Sequence, residues 1–209
     1  MINHRIDALF ATPIYFSNLE RDLTNKEKNL IFKNQEKLFL NSGGNKTSED
    51  TYILEKKEMQ NLKKHLMLRV EDYNNTIENC VEKIDLYITQ SWLNYNEINT
   101  SHHAHFHSNS YLSGVFYINA NKDIDRIYFL DSRYFQLELG LRKNYNSFNS
   151  REWNYPVKTG DLFLFPSHLK HRVDTNVTKN HIRISLAFNV FVKGKIGNKL
   201  HLTELIINE

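Results

Sequence analysis

Ser101-His102-His103-Ala104-His105-Phe106-His107-Ser108 places four of the chain's ten histidines within six residues. Directly after it comes Tyr111-Leu112-Ser113-Gly114-Val115-Phe116-Tyr117-Ile118-Asn119. That run is β-branched and aromatic, the composition of a strand. In extended chain, residues two apart share a face. A regular strand would therefore set His103, His105 and His107 on one face, so that either adjacent pair could aim two imidazoles at a single point. Imidazole suits iron, zinc, copper and nickel, and a His-x-His pair supplies two of the three protein ligands of an open metal site. The competing reading is a solvated polar loop whose histidine content is merely compositional.

Downstream segments decide between them. Pro156-Val157-Lys158-Thr159-Gly160-Asp161-Leu162-Phe163-Leu164-Phe165-Pro166-Ser167 reads as strand, Gly-Asp turn, apolar strand and proline stop. His168-Leu169-Lys170-His171-Arg172-Val173 follows, and then His181-Ile182-Arg183-Ile184-Ser185-Leu186-Ala187-Phe188-Asn189-Val190-Phe191. A His-x-His before one strand, a histidine after a later hairpin and Arg-x-Ser on a last strand form an ordered set. The set resembles the 2-oxoglutarate- and iron(II)-dependent oxygenases, and most closely their small marine bacterial and phage type. In that type W-x-N precedes H-x-H-x-x-S-x-x-S-G-V-x-Y, then G-D-L-x-x-F-P-S-x-x-x-H and R-I-S-x-x-F-N. The matching positions here are Trp92 and Asn94, His105 to Tyr117, Gly160 to His171, and Arg183 to Asn189, about half of the chain.

The resemblance implies a double-stranded β-helix, jelly-roll or cupin-like, that binds Fe(II), 2-oxoglutarate as cosubstrate and O2. Its metal ligands would be His105, His107 and His171. His107 stands where most such oxygenases carry aspartate, so all three ligands would be neutral. The family's spacing favours the pair 105/107 over 103/105, because Ser113 lies six residues beyond His107. His168 competes with His171 for the third place, but it belongs to the turn after Pro166. Arg183 would take the distal carboxylate of 2-oxoglutarate, since a planar guanidinium grips a carboxylate with two hydrogen bonds as lysine cannot. Ser185 would add a hydrogen bond from the same face. Trp92, Asn94 and Tyr117 are further candidates for the cosubstrate pocket, and Asn189 ends the Phe-Asn pair. The alternative for Arg183 is a cross-strand ion pair with an aspartate or glutamate. The implied reaction is hydroxylation of an unidentified substrate, with release of succinate and CO2.

Length and composition agree with this and exclude other classes. A chain of 209 residues reads as a single domain large enough for an ordinary core. A net charge of +3 spread along the chain is a poor signature for nucleic acid, so none is expected as a partner. One cysteine, Cys80, allows no intramolecular disulfide, and no apolar stretch has the length of a membrane span. A cytoplasmic location is therefore expected, with no membrane partner. The substrate could be a small molecule or a peptide or protein side chain, and a homodimer is left open.

From the N-terminus, Leu9 to Phe16 reads as an edge strand interrupted by Pro13. Thr24-Asn25-Lys26-Glu27 has capping-box form, opening a helix to about Leu40. Asn41 to Asp50 reads as a polar loop. Met59, Leu62, Leu66, Val70, Tyr73, Ile77 and Cys80 repeat at helical spacing, which makes the stripe core and Cys80 a small buried group. Short strands follow at 86–94, 112–119, 126–130, 154–157, 161–165, 169–173 and 181–192. Helices followed by many strands predict a mainly β protein, an antiparallel sandwich or jelly roll with helices packed on one sheet. Residues 1–83 would hold the N-terminal strand and helices, 84–193 the β-helix core and 194–209 an extension. The insert 131–152, with Tyr134, Phe135, Tyr145 and Phe148, reads as a lid or substrate loop.

Two other classes share parts of the pattern. A three-histidine cupin-type dioxygenase or isomerase would keep the histidines without needing Arg183-x-Ser185. A non-catalytic metal- or sugar-binding jelly roll would bind without consuming oxygen.

Overall fold

The computed structural model describes residues 2–132 and 140–207. Among the described residues, two α-helices and twelve strands form three layers. Helix α1 (Asn25–Lys33) and helix α2 (Gln60–Ile77) cover one face of a large antiparallel sheet, and a small sheet faces its other side. The large sheet runs in the order β1 (Tyr15–Asn18), β9 (Asp161–Pro166), β6 (Leu112–Asn119), β11 (Arg183–Ile196), β4 (Asp85–Asn96), β3 (Lys46–Ser48), β2 (Leu38–Leu40). Strand β12 (Leu205–Ile207) pairs with the far end of β11. The small sheet has the order β5 (His102–His105), β10 (His171–Val173), β7 (Arg126–Leu130), β8 (Glu152–Pro156). Two facing antiparallel sheets are the expected jelly roll.

Strand parity sorts the side chains of the large sheet. On β11, Leu186, Phe188 and Val190 join Leu93 and Tyr95 of β4 and Leu62, Leu66, Val70 and Tyr73 of α2 in the core beneath the helices. Residues of opposite parity face the small sheet. Phe163, Phe165 and Tyr117 pack there with Ile127, Phe129 and Val157. Arg183, Ser185 and Ala187 of β11, with Trp92, Asn94 and Asn96 of β4, line a cavity between the sheets. The alternation that makes β4 and β11 half polar thus builds a core on one side and a cavity on the other.

Gly114 marks the closest approach in this sheet. It stands opposite Phe188 in the β6–β11 register, and a Cβ at Gly114 would lie 2.1 Å from the Phe188 ring. Phe188 is fully buried, so the ring cannot swing clear. Gly114→Ala should destabilise the protein by about 1–3 kcal/mol, the usual result of overpacking. A lower urea midpoint would show it, and an unchanged midpoint would contradict the packing described.

The N-terminal part differs from its sequence reading in several places, the first being the edge strand, which covers Tyr15–Asn18 and not Leu9–Phe16. The capping box is present: Thr24 Oγ1 accepts from the Glu27 amide, and the Glu27 carboxylate accepts from the Thr24 amide. The helix it opens ends at Lys33, however, and not near Leu40, because Leu38–Leu40 leave it to pair with Lys46–Ser48. The expected loop 41–50 therefore contains a strand, and Asn45, Thr47 and Ser48 in it are buried. The polarity of Thr47 and Ser48 misleads because β4 satisfies it: Ser48 Oγ accepts from the Leu93 amide, and Thr47 Oγ1 donates to Asn94 Oδ1. Cys80, expected in the core, is exposed, since α2 ends three residues before it. Of the insert, residues 133–139, Tyr134 and Phe135 included, lie outside the described residues; Tyr145 and Phe148 are exposed. No helix among the described residues is long and apolar enough to cross a membrane.

Candidate active site

Strand β5 is short, and a bulge decides which of its histidines face inward. His171 of β10 pairs with His105, while Val173 pairs with His102. Between those pairs β10 advances two residues and β5 advances three, so β5 carries one extra residue. The regular alternation is broken, and His102 comes to the same face as His105, their rings stacked at 4.4 Å between centroids. His103, expected on that face, is exposed, and its Nδ1 pairs with Ser42 Oγ. The inward set is therefore 102, 105 and 107, where a regular strand would have presented 103, 105 and 107.

His105, His107 and His171 form a compact group whose metal-binding atoms all lie within 4.8 Å of one another. His168 is exposed and lies outside it. In each ring of the group, Nδ1 is held by an oxygen acceptor. His105 Nδ1 meets the carbonyl of His103 at 2.8 Å, and His171 Nδ1 meets that of Leu169 at 3.0 Å. His107 Nδ1 is bonded to Asn189 Oδ1, with Ser113 Oγ at 3.1 Å. A carbonyl oxygen can only accept, so Nδ1 carries the proton and Nε2 keeps its lone pair. Three oriented imidazoles with free lone pairs fit a divalent transition metal.

Asn189 thus does more than end a strand. Thr89 is an extra residue on β4 opposite the step from Asn189 to Val190, and this bulge lies where Asn189 faces His107. Ser113 and Ser167, both buried, extend the contact as a chain of hydroxyls, with 2.8 Å between their Oγ atoms. Outer partners of this kind typically contribute about 10–100-fold to metal affinity. Asn189→Ala should therefore weaken metal binding by about that factor, as read by chelator competition. Unchanged affinity would show that Asn189 does not orient His107.

Burial holds these imidazoles neutral. It pushes His102 down to about 3 and His105 down to about 4, reinforced in both by neighbouring histidines. His107 is also lowered by burial, and His171 lies well below its usual value, through burial and then the His105 and His107 rings. Free imidazole, with a pKa of about 6.5, would lose metal as the pH falls through that value. Here burial keeps the ligands unprotonated to lower pH, so metal affinity should begin to fall only at a pH below that at which free imidazole loses metal. For folding the sign is the opposite of a salt-bridged histidine's. The unfolded chain takes up protons below about pH 6.5 while the native groups do not. The metal-free chain should then lose up to about 1.4 kcal/mol per pH unit for each such histidine as pH drops from 6.5 towards 4. A urea midpoint that is flat over this range would contradict the burial described.

All eight residues singled out from the sequence line one cavity: His105, His107, His171, Arg183, Ser185, Asn94, Tyr117 and Trp92. Trp92 packs beside His107, with 5.5 Å between ring centroids. Asn96 and His102 line the same cavity and were not foreseen. Tyr117 and Asn96 are almost completely buried, and Tyr117 Oη and Asn96 Nδ2 have no hydrogen-bond partner. Orphaned polar groups of this kind are costly unless something else satisfies them. Arg183, 3% exposed, is also in the cavity, but it already has a partner: Nη1 donates to Asp125 Oδ1 at 2.9 Å, and Nη2 donates to the carbonyl of Asp174 at 2.9 Å. The ion pair anticipated as the alternative for Arg183 is therefore present, with a residue from the turn before β7. A second cleft, about 410 Å³, lies between residues 18–23 and β6 and contains none of the histidines.

Residues 90–189 match the family model described as "Putative 2OG-Fe(II) oxygenase". Over that span, just under half of the chain, the sequence is similar to the 2OG-Fe(II) oxygenases. No curated protein matches it. Solved structures similar to it include the non-heme alpha ketoglutarate dependent epimerase SnoN from nogalamycin biosynthesis. It has a TM-score of 0.59 and 10% identity, over 86% of this chain and 78% of that one. A Trichoplax adhaerens prolyl hydroxylase, in complex with a hypoxia inducible factor peptide fragment, has a TM-score of 0.58 at 10% identity, over 85% and 83%. A Pseudomonas putida prolyl-4-hydroxylase has a TM-score of 0.53 at 15% identity, over 87% and 94%. At such identities the likeness establishes the fold, a double-stranded β-helix. The matched span holds all eight cavity residues named from the sequence.

Proposed function

We propose that the protein binds Fe(II) through His105, His107 and His171 and uses 2-oxoglutarate and O2 to hydroxylate a substrate, releasing succinate and CO2. The observation that carries this reading is the content of one cavity: three oriented imidazoles together with a buried guanidinium and two buried donors lacking acceptors. A dianionic ligand supplies acceptors for such donors, so the lining suits 2-oxoglutarate. Arg183 would hold the distal carboxylate, Tyr117 and Asn96 would donate to cosubstrate oxygens, and Ser185, Asn94 and Trp92 would complete the wall. Bound iron(II) would supply the activation of O2, paired with decarboxylation of the 2-oxo acid and oxidation of a substrate C–H bond. The chain's own part is to fix the imidazoles through Asn189, Ser113 and two backbone carbonyls, and to keep water from a cavity walled by Trp92, Val115, Ile127 and Phe165.

Hydroxylation is the favoured outcome among those that the fold supports. An epimerase and prolyl hydroxylases both stand among the similar structures. The substrate would be a small molecule or a peptide. One observation favours a second reading, a three-histidine dioxygenase that does not use 2-oxoglutarate: Arg183 is already paired with Asp125. Succinate formation from 2-oxoglutarate with Fe(II) and air separates the two. The proposal expects succinate even without substrate, by slow uncoupled turnover, and more with it. Oxygen uptake with no succinate would favour the second reading.

A further inference from the structure

Asp125 is a buried carboxylate that the reaction does not obviously use. It is 2% exposed and sits in the turn between β6 and β7. Three donors converge on it: the Asn121 amide at 2.8 Å and His181 Nε2 at 2.9 Å on one oxygen, and Arg183 Nη1 at 2.9 Å on the other. Asp125 and the Asp174 carbonyl thus hold the two terminal nitrogens of Arg183 from two different chain segments. A guanidinium has five N–H groups, and these two bonds use one on each terminal nitrogen. The arrangement fixes the plane of Arg183 before any ligand arrives and offsets the charge of a cation that is 3% exposed.

We infer that Asp125 is a positioning residue for the cosubstrate: it orients Arg183 so that the guanidinium meets the distal carboxylate of a 2-oxo dicarboxylic acid. This inference rests on the reading of Arg183 given under the proposed function. Its content is chemical selectivity. Asp125 acts only through Arg183, so its influence should reach ligands that have a second carboxylate and no others. A simple packing role, in contrast, would weaken every ligand of the cavity together.

Asn cannot replace Asp125 without loss, because one amide oxygen cannot accept on both sides of the group, where Asp uses one oxygen for Arg183 and the other for Asn121 and His181. The test is direct binding to metal-loaded protein without oxygen, using 2-oxoglutarate and 2-oxopentanoate, which lacks the distal carboxylate. In Asp125→Asn, 2-oxoglutarate affinity should fall roughly tenfold or more, the scale of one lost charge-assisted contact. Affinity for 2-oxopentanoate and metal content should stay within about twofold of wild type. Equal weakening of both acids, or of neither, would overturn the inference. Should Asp125→Asn fail to fold, His181→Ala carries the same test, since it removes one donor from Asp125 and leaves Arg183 in place. A selective loss of 2-oxoglutarate affinity there, smaller than tenfold, is expected, and an unselective loss or none overturns the inference. Wild-type protein that binds no 2-oxoglutarate would instead refute the proposed function itself.

Discussion

Alanine at His105, His107 or His171 should each abolish stoichiometric iron binding, while alanine at His102 or His103 should leave it intact. The three rings are the only group of at least three histidine, cysteine or acidic side chains among the described residues with their donor atoms close enough to hold one ion. An open site of this kind has about three protein ligands, so loss of any one leaves a weak bidentate pair. No carboxylate among the described residues belongs to the group. His102 stacks on His105 but is not a member, so its removal should alter the cavity and not the metal content. His103 points to Ser42. Iron content of the five purified, folded variants decides the matter. Retention of iron in His107→Ala with loss in His102→Ala would shift the site along β5 and refute the assignment.

Arg183→Lys should weaken 2-oxoglutarate binding by one to two decades while leaving iron content near wild type. Arg183 reaches Asp125 and the Asp174 carbonyl with two nitrogens of one rigid plane, and a lysine ammonium cannot reproduce that fork. Its charge would remain, so the loss measures geometry. Losing a charge-assisted contact costs roughly 1.5–3 kcal/mol, which is about one to two decades in affinity. Calorimetry on metal-loaded protein reads this directly. Unchanged affinity would remove Arg183 from the cosubstrate site and leave its ion pair with Asp125 as a purely structural element.

Most of the fold was legible because its strands alternate strongly. The reading at 112–119 and at 126–130 matches the strands to the residue, and β4, β9 and β11 begin or end within a few residues of expectation. These runs are β-branched and aromatic and need no distant partner to be recognised. Strands β2 and β3 were not, since Lys46-Thr47-Ser48 has loop composition and becomes a strand only because β4 accepts its polar side chains. The site shows the same division. The eight candidate residues all reach one cavity, and six of them do so from set positions on β4, β6, β10 and β11. What local sequence could not show were the bulges, two of which lie beside the histidines. One turns His102 inward in place of His103, and the other lies beside Asn189 where it meets His107. Neither bulge has a glycine or proline to announce it, and both are defined by the pairing of strands distant in sequence. Asp125 was missed for a similar reason: the second aspartate of an Asn-Lys-Asp-Ile-Asp turn carries no signal until the fold brings His181 and Arg183 against it.

The proposed function requires one cavity to hold a three-histidine iron site and, beside it, a place for 2-oxoglutarate. Anaerobic equilibrium dialysis with Fe(II) and 2-oxoglutarate, separately and together, tests it most directly. One iron per chain is expected, with one 2-oxoglutarate retained tightly only when the metal is present, because the two ligands share the cavity lined by His105, His107, His171 and Arg183. One iron per chain with no retained 2-oxoglutarate, or 2-oxoglutarate bound equally well without metal, would contradict it.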